Sequence, residues 1–304
     1  MPGTNRGATE ETRLKRLLTA LVPLLLAPAC FAIGPYLAGD TLPAGELPAL
    51  MGRVEQKLRD DGFTVIGRHL PRGLPKHGSV IVTDPALLQA IRAAGGTAIL
   101  AAPIRVGVRS DGAVSYMNPD YWGRAYLRGG YAAAQPALNS VRTRLAHALG
   151  AGAAFGGDVP EADLPNYRYM FGMERIDSQR NELNALPSFD EALKTVRANL
   201  AQGAGGTAAV YEVVMPEAKL AVLGVALNDP EHGEGWWAGT IGPDHVAALP
   251  YEIYIVDGKV YSLYGRYRIA LSWPALGMGQ FMRIVRAPDA IHDTMGRLAG
   301  AAAR

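Results

Sequence analysis

The chain repeats itself. Asp111-Gly112-Ala113-Val114 returns as Asp257-Gly258-Lys259-Val260, 146 residues later. Leu47, Leu50 and Val54 return as Leu193, Val196 and Leu200 at the same offset, Thr83-Asp84-Pro85 as Asn228-Asp229-Pro230 at 145, and Pro103 as Pro250 at 147. A rival register sets Gly95-Gly96-Thr97-Ala98 on Gly205-Gly206-Thr207-Ala208 at 110, but it accounts for that tetrad alone. Self-similarity at one long period makes each copy a structural unit. A chain of 304 residues is long enough for two such units, each with its own core. With 49% hydrophobic and 19% charged residues it reads as globular.

Local signals give the units their elements. Leu47, Leu50, Val54 and Leu58 recur at helical spacing over about 46–60, and Gly62 ends that helix. "FTVIGRHL" (63–70) and "SVIV" (79–82) read as strands, and Asp84-Pro85 opens a short helix to about Ala94. "ILAAPIRVGVRSDGAVSYM" (99–117) reads as two strands joined at Asp111-Gly112, and Pro136–Leu149 as a helix. The order then recurs. Ser188 with Glu191 forms a capping box for a helix over 188–200, followed by strands at 207–215 and 220–227. A hairpin over 250–271 turns at Asp257-Gly258, and a closing helix runs from about Pro288 to Leu298. The closing helices of the two copies align at no single offset. The expected fold is α+β: two tandem homologous domains, 33–150 and 188–304, each an antiparallel sheet flanked by helices, in a pseudo-twofold arrangement. Residues 151–187 read as the linker.

Residues 1–32 read as a secretory signal. Arg13-Leu14-Lys15-Arg16 precedes an apolar run from Leu17 to Ala29, and Ala27, Ala29 and Ala32 supply small residues for cleavage. The run holds Pro23 and Pro28 and falls short of the roughly 20 residues of a membrane span. Ala27-Pro28-Ala29-Cys30 loosely resembles a bacterial lipoprotein cleavage box, so Cys30 is a candidate for lipidation; ordinary cleavage after Ala29 or Ala32 is the alternative. Cys30 is the only cysteine, which leaves the folded part without a disulfide or thiol nucleophile. The segment carries four basic and two acidic residues of the chain's 30 and 28, leaving 26 against 26. No basic excess remains to suggest nucleic acid. The expected location is the periplasm or envelope, with membrane contact only through a lipid anchor.

The run "GFTVIGRH", "SVIVTDPALLQAI" and "APIRVGVRSDGAVSYMNPDYW" resembles the bacterial domain of unknown function 302 family. The likeness covers roughly 46–150 and, more weakly, 188–300. It implies a small α+β domain with a helix-flanked antiparallel sheet, and no agreed catalytic motif.

Candidate site residues fall in three segments. In "NDPEHGEGWWAG" (228–239) the second copy departs from "TDPALLQAI": Gly233 and Gly235 make a full helix improbable, so a glycine-rich loop presents His232, Glu234, Trp236 and Trp237. These either line a ligand site or plug the gap left by a lost helix. As a metal motif the loop is poor, with one histidine and carboxylates that can face water. In "RYRIALSWPALGMGQFM" (266–282), read as strand, Arg266 and Arg268 share a face and can fork an anion or form salt bridges with Glu252 or a neighbour. Met278 and Met282 beside Phe281 suit core packing better than Cu(I) or haem. In "YMNPDYWGRAYLRGGY" (116–131), Tyr121, Trp122 and Arg124 follow an Asn-Pro turn and suit either a small-ligand cleft or sheet packing.

No nucleophile elbow, phosphate-binding loop, His-Glu-x-x-His or Cys-x-x-Cys is present, and no catalytic residue is assigned. His232 and His245, 13 positions apart, are considered as a histidine pair. The expectation is a non-enzymatic exported binding or accessory protein whose interdomain cleft, formed by the three segments, takes a small molecule. An envelope interaction module docking a partner protein through aromatics is the alternative, and an enzyme using His232 with a carboxylate the third reading. Ligand, cofactor and oligomeric state are left open.

Overall fold

The computed structural model describes residues 31–301, so Cys30 and most of the expected signal lie outside the described residues. The described residues begin with β1 (Ala32–Ile33) and β2 (Tyr36–Ala38), then α1 (Leu47–Asp60), β3 (Thr64–His69), β4 (His77–Thr83) and α2 (Pro85–Ala94). A 3-10 segment, Gly96–Ala101, leads into β5 (Ile104–Arg109), β6 (Val114–Met117), α3 (Pro119–Leu127) and α4 (Tyr131–Leu149). After β7 (Ala154–Phe155), β8 (Val159–Pro160) and β9 (Glu182–Ala185) come α5 (Phe189–Ala201), β10 (Thr207–Met215), β11 (Leu220–Leu227) and α6 (Glu234–Ile241). A second 3-10 segment, Pro243–Ala248, precedes β12 (Tyr251–Val256), β13 (Lys259–Tyr261), α7 (Gly265–Ser272), α8 (Met278–Met282) and α9 (Ala287–Leu298). None of the described helices is long and apolar enough to cross a membrane.

The cap signals act as the sequence implies. The Asp84 carboxylate accepts from the Leu87 amide at 2.8 Å, with Pro85 in the first turn of α2. Ser188 accepts from the Glu191 amide at 3.2 Å and opens α5. Asn118 does the same for α3, accepting from the Asp120 amide, so the expected Asn-Pro turn is a helix start. Asp257 takes φ 53° in the tight turn between β12 and β13.

The fold is α+β with antiparallel sheets. One sheet runs β3-β4-β5-β6-β2-β7, another β10-β11-β12-β13-β9, and β1 pairs with β8 in a third. Helix α1 packs on β3, β4 and β5, and α5 on β10, β11, β12 and β13. Every residue of β11 is buried, as befits a strand covered on both faces. One continuous core runs through both large sheets, and the chain from Ala32 onward is one packed unit. The packing between the sheets is reciprocal. Segment 96–101 lies on β11 and β12, while segment 243–248 lies on β4, β5 and β6. Gly107 allows the second approach, because a Cβ there would meet Val246 Cγ1 at 2.7 Å and the Ala247 amide nitrogen at 3.1 Å.

Three segments differ in detail from the expected elements. Residues 99–101 are 3-10 helix, so the first hairpin starts at Ile104. The second hairpin stops at Tyr261, because buried Asn181 captures the next amides: its carbonyl accepts from Ser262 N and its side-chain oxygen from Tyr264 N, each at 2.9 Å. The chain then turns into α7, so Arg266 and Arg268 stand on a helix and not on a sheet face. Finally, 151–187 holds three short strands; β7 pairs with β2, and β9 with β13.

Candidate functional site

The three segments expected to line a cleft do meet, but they meet as core. Arg268 lies 5.4 Å over the Trp122 ring, Tyr121 Oη donates to the Leu271 carbonyl at 2.8 Å, and Trp237 packs edge-on against Trp273 at 5.5 Å. Tyr121, Trp122, Trp237 and Arg268 are all almost inaccessible to water. These four side chains are therefore core.

The loop expected at 228–239 contains a helix. Asp229 starts a turn by accepting from the Glu231 and His232 amides at 2.9 and 2.8 Å, and α6 follows from Glu234. The glycine that argued against a helix serves contact instead. A Cβ on Gly235 would stand 2.0 Å from the Arg72 carbonyl oxygen, so only glycine lets α6 lie this close to the 70–74 turn. Glu234 points inward. Its Oε2 is 2.6 Å from His69 Nε2 and its Oε1 accepts from the Tyr251 amide at 3.0 Å, so a residue offered as a ligand contact is a buried tie between α6, β3 and β12. Trp236 is half-buried, with its ring 6.2 Å from that of His232.

The arginines serve structure too. Arg268 Nε donates to Glu252 Oε1 at 2.8 Å, one terminal nitrogen donates to the Ala248 carbonyl at 2.8 Å, and the other contacts Ser272 Oγ. Arg105, from β5, donates to Glu252 Oε2 at 2.9 Å. All three side chains are buried. Burial alone would raise the Glu252 carboxyl, but Arg105 and Arg268 outweigh it and hold the group below its ordinary value. Two guanidiniums on one carboxylate leave an excess positive charge, which the faces of Trp122 and Tyr251 share. Around the triad, burial pushes the Tyr211 hydroxyl up to about 12. Arg266 reaches Glu174 at 2.6 Å, and Arg124 pairs with Glu161 while lying 4.4 Å over Tyr131. The salt-bridge reading thus holds for Arg268 with Glu252, through a helix and not a ladder.

Sequence reasoning offered Glu252 only as a possible partner, passed over His69 as a scattered histidine, and missed Arg105. A signal existed. Arg105 and Glu252 each stand alone in an apolar strand, "APIRVGV" and "LPYEIYIV", where an unpaired charge is untenable.

Two surface features remain. One is a polar pocket of about 260 Å³ between the 227–233 turn and α9, with Asp229, His232, Asp293, Thr294 and Arg297 on its walls. His232 Nδ1 stands 3.4 Å from Asp229 Oδ1, and the Glu231 and His232 amides hold the Asp229 carboxyl below its usual range. His245 faces elsewhere, stacked on Trp273, so the two histidines form no pair. Among the described residues no group of three or more His, Cys, Asp or Glu is placed to hold a metal.

The other feature is apolar. Tyr169, Met173, Leu276, Met278 and Phe281 enclose a pocket of about 80 Å³. Phe171 beside it is 97% exposed, and Met282, Met278, Val285 and Met170 are each more than 40% exposed. Of the Met278–Phe281–Met282 cluster expected to be core, the two methionines are on the surface, while Phe281 is half-buried against the core. Isolated apolar side chains on a surface are ordinary; a cluster of them around an apolar hollow is not.

In comparisons with known proteins, no family model matches the chain and no curated protein matches it.

Proposed function

We propose that the protein is an exported, non-enzymatic accessory module of the bacterial envelope that works by docking an apolar surface at the Met278–Phe281 face. The observation that carries this reading is the division of the apolar residues: Tyr121, Trp122 and Trp237, expected to hold a ligand, are consumed by the core, while Phe171, Met278 and Met282 face water. Pocket size points the same way. A hollow of about 80 Å³ takes one side chain or the end of an acyl chain, whereas small-molecule sites run from roughly 300 Å³ upward. Flexible methionine suits a surface that must accommodate its partner.

The same reading takes the two halves as diverged copies of one α+β unit, similar to the domain of unknown function 302 family, about a pseudo-twofold axis. Support comes from the matching strand orders and from pairs of repeat-related residues that touch. Arg105 and Glu252 are 147 positions apart, and Trp122 and Arg268 are 146 apart. Related positions meet each other only near a twofold axis. Export rests on the basic and apolar leader, and Ala32 favours cleavage upstream of itself, since it pairs with Pro160 in β1–β8.

Titration with anilinonaphthalene sulfonate tests the docking reading. Saturable fluorescence enhancement, lost in Met278→Glu with unchanged circular dichroism, is expected; an enhancement indifferent to that substitution sinks it. A second reading has its own observation, the His232–Asp229 contact in a polar pocket with Arg297. A small polar ligand retained by protein from its own periplasm in native mass spectrometry, and lost in Arg297→Ala, would favour that reading instead.

A further inference from the structure

We infer that the surface docked by the Met278–Phe281 face is an anionic phospholipid bilayer, an inference that rests on the docking reading above. Three observations converge. The first is where the folded chain begins. Ala32 and Ile33 pair with Pro160 and Val159, and Gly157, just ahead of β8, lies against Ala275, where a Cβ would meet the Ala275 nitrogen at 2.7 Å. A shallow depression runs from Val159 and Pro160 to Tyr169 and Pro274, and Tyr169 and Leu276 wall the apolar pocket. The fold's first strand thus sits at the edge of the Met/Phe face. In sequence, the apolar run Leu17–Ala29 and Cys30 stand immediately ahead of this strand.

The second observation is charge. Arg168, Arg283 and Arg286 are exposed around the face and, among the described residues, make no ion pair. By contrast Arg124, Arg128, Arg175, Arg180 and Arg266 in the same part of the fold are each matched by a carboxylate. Unmatched guanidiniums beside apolar side chains suit lipid phosphates, which such residues attract within a Debye length of the surface. The third is the side chains themselves. Phe171, Met282 and Val285 project with nothing over them, and interfacial membrane proteins insert such residues to the depth of the headgroup boundary.

The test uses the full chain reconstituted into vesicles of phosphatidylethanolamine and phosphatidylglycerol that carry a diazirine-tagged phospholipid. After illumination, adducts are mapped by mass spectrometry. Adducts in peptides 169–173 and 278–285, roughly tenfold above those in peptide 85–94 of α2, support the inference. Removing one charge by Arg283→Gln or Arg286→Gln should lower that labelling roughly fivefold, and replacing phosphatidylglycerol with phosphatidylcholine, which takes the attraction from all three arginines, should lower it further. Met282→Glu with Val285→Glu, both at exposed positions, should abolish it while the circular dichroism spectrum stays unchanged. Adducts confined to residues before 31 would overturn the inference, and so would labelling indifferent to lipid charge. If the apolar dye still binds saturably at Met278 in that case, the docking reading stands and only the bilayer falls; if the dye fails as well, both fall.

Discussion

Arg105 donates to Glu252 at 2.9 Å across the two large sheets, although the two residues stand 147 positions apart in the chain. One strand of each sheet thus contributes one sign of charge, and Arg268 closes the triad from α7. Trp122, one of the residues expected to hold a ligand, packs against this buried arrangement under the Arg268 guanidinium.

Breaking the triad from one side should be severe. Glu252→Gln leaves two buried guanidiniums without a counter-charge and should cost about 3–5 kcal/mol in urea unfolding. Replacing all three together by Met or Leu of similar volume should cost far less, since a desolvated ion cluster returns little net stability. Equal losses in the two variants would refute this account. The pH dependence follows from the direction of the Glu252 shift. Its folded value lies below the ordinary 4.5, so its contribution is complete above pH 4.5 and is lost as pH falls through the folded value. Glu252→Gln should flatten that part of the stability–pH curve.

The buried contact between His69 and Glu234 makes a parallel prediction for α6. Glu234→Ala removes an acceptor from both His69 Nε2 and the Tyr251 amide, and should cost about 3 kcal/mol. Combined with His69→Ala in a double-mutant cycle, the two losses should be clearly less than additive. Additive losses would mean that the pair does not couple α6 to β3.

What the sequence disclosed and what it hid divide along one physical line. Elements specified by neighbours in the chain were legible: Asp84-Pro85 caps α2, Ser188 with Glu191 opens α5, and both Asp-Gly turns close hairpins. Elements decided by distant contact were not. Gly235 looked like a helix breaker because its reason for being glycine, the Arg72 carbonyl, lies 163 positions away in sequence. Likewise Arg266 and Arg268 looked like strand residues because the Asn181 side chain that ends β13 lies in a stretch read as linker. The site suffered most. Trp237, Trp122 and Arg268 are what a ligand cleft and a well-packed core have in common, and only packing separates the two.

Two glycines in helices should respond oppositely to alanine. Gly52 in α1 has nothing within 4 Å of an added Cβ, so Gly52→Ala should stabilise by about 0.5–1 kcal/mol through helix propensity and unfolded-state entropy. Gly235→Ala gains the same propensity but drives a methyl into backbone, and should destabilise by about 1–3 kcal/mol net. Thermal unfolding of the two variants reads the signs directly. A stabilised Gly235→Ala would show that α6 does not rest against the 70–74 turn.

His245 should report on the closed core through its own titration. Its ring stacks on Trp273 at 5.3 Å and lies 5.0 Å from Tyr36, and Nδ1 is 3.1 Å from the Ser272 carbonyl. Burial pushes its imidazole below 6.5, and the opposing pull of the Ser272 carbonyl and Asp244 is too weak to restore it. In the window between the folded value and 6.5, the unfolded chain binds a proton that the folded chain refuses. Stability is therefore unaffected by this group above pH 6.5 and falls as pH drops through that window. The imidazole Cε1 proton, followed by NMR, should titrate below 6.5, and His245→Phe should remove this component of the stability–pH curve while keeping the stack on Trp273. A midpoint at or above 6.5 would mean that water reaches the ring, and with it that the junction between Tyr36, Trp273 and the 243–248 segment is open.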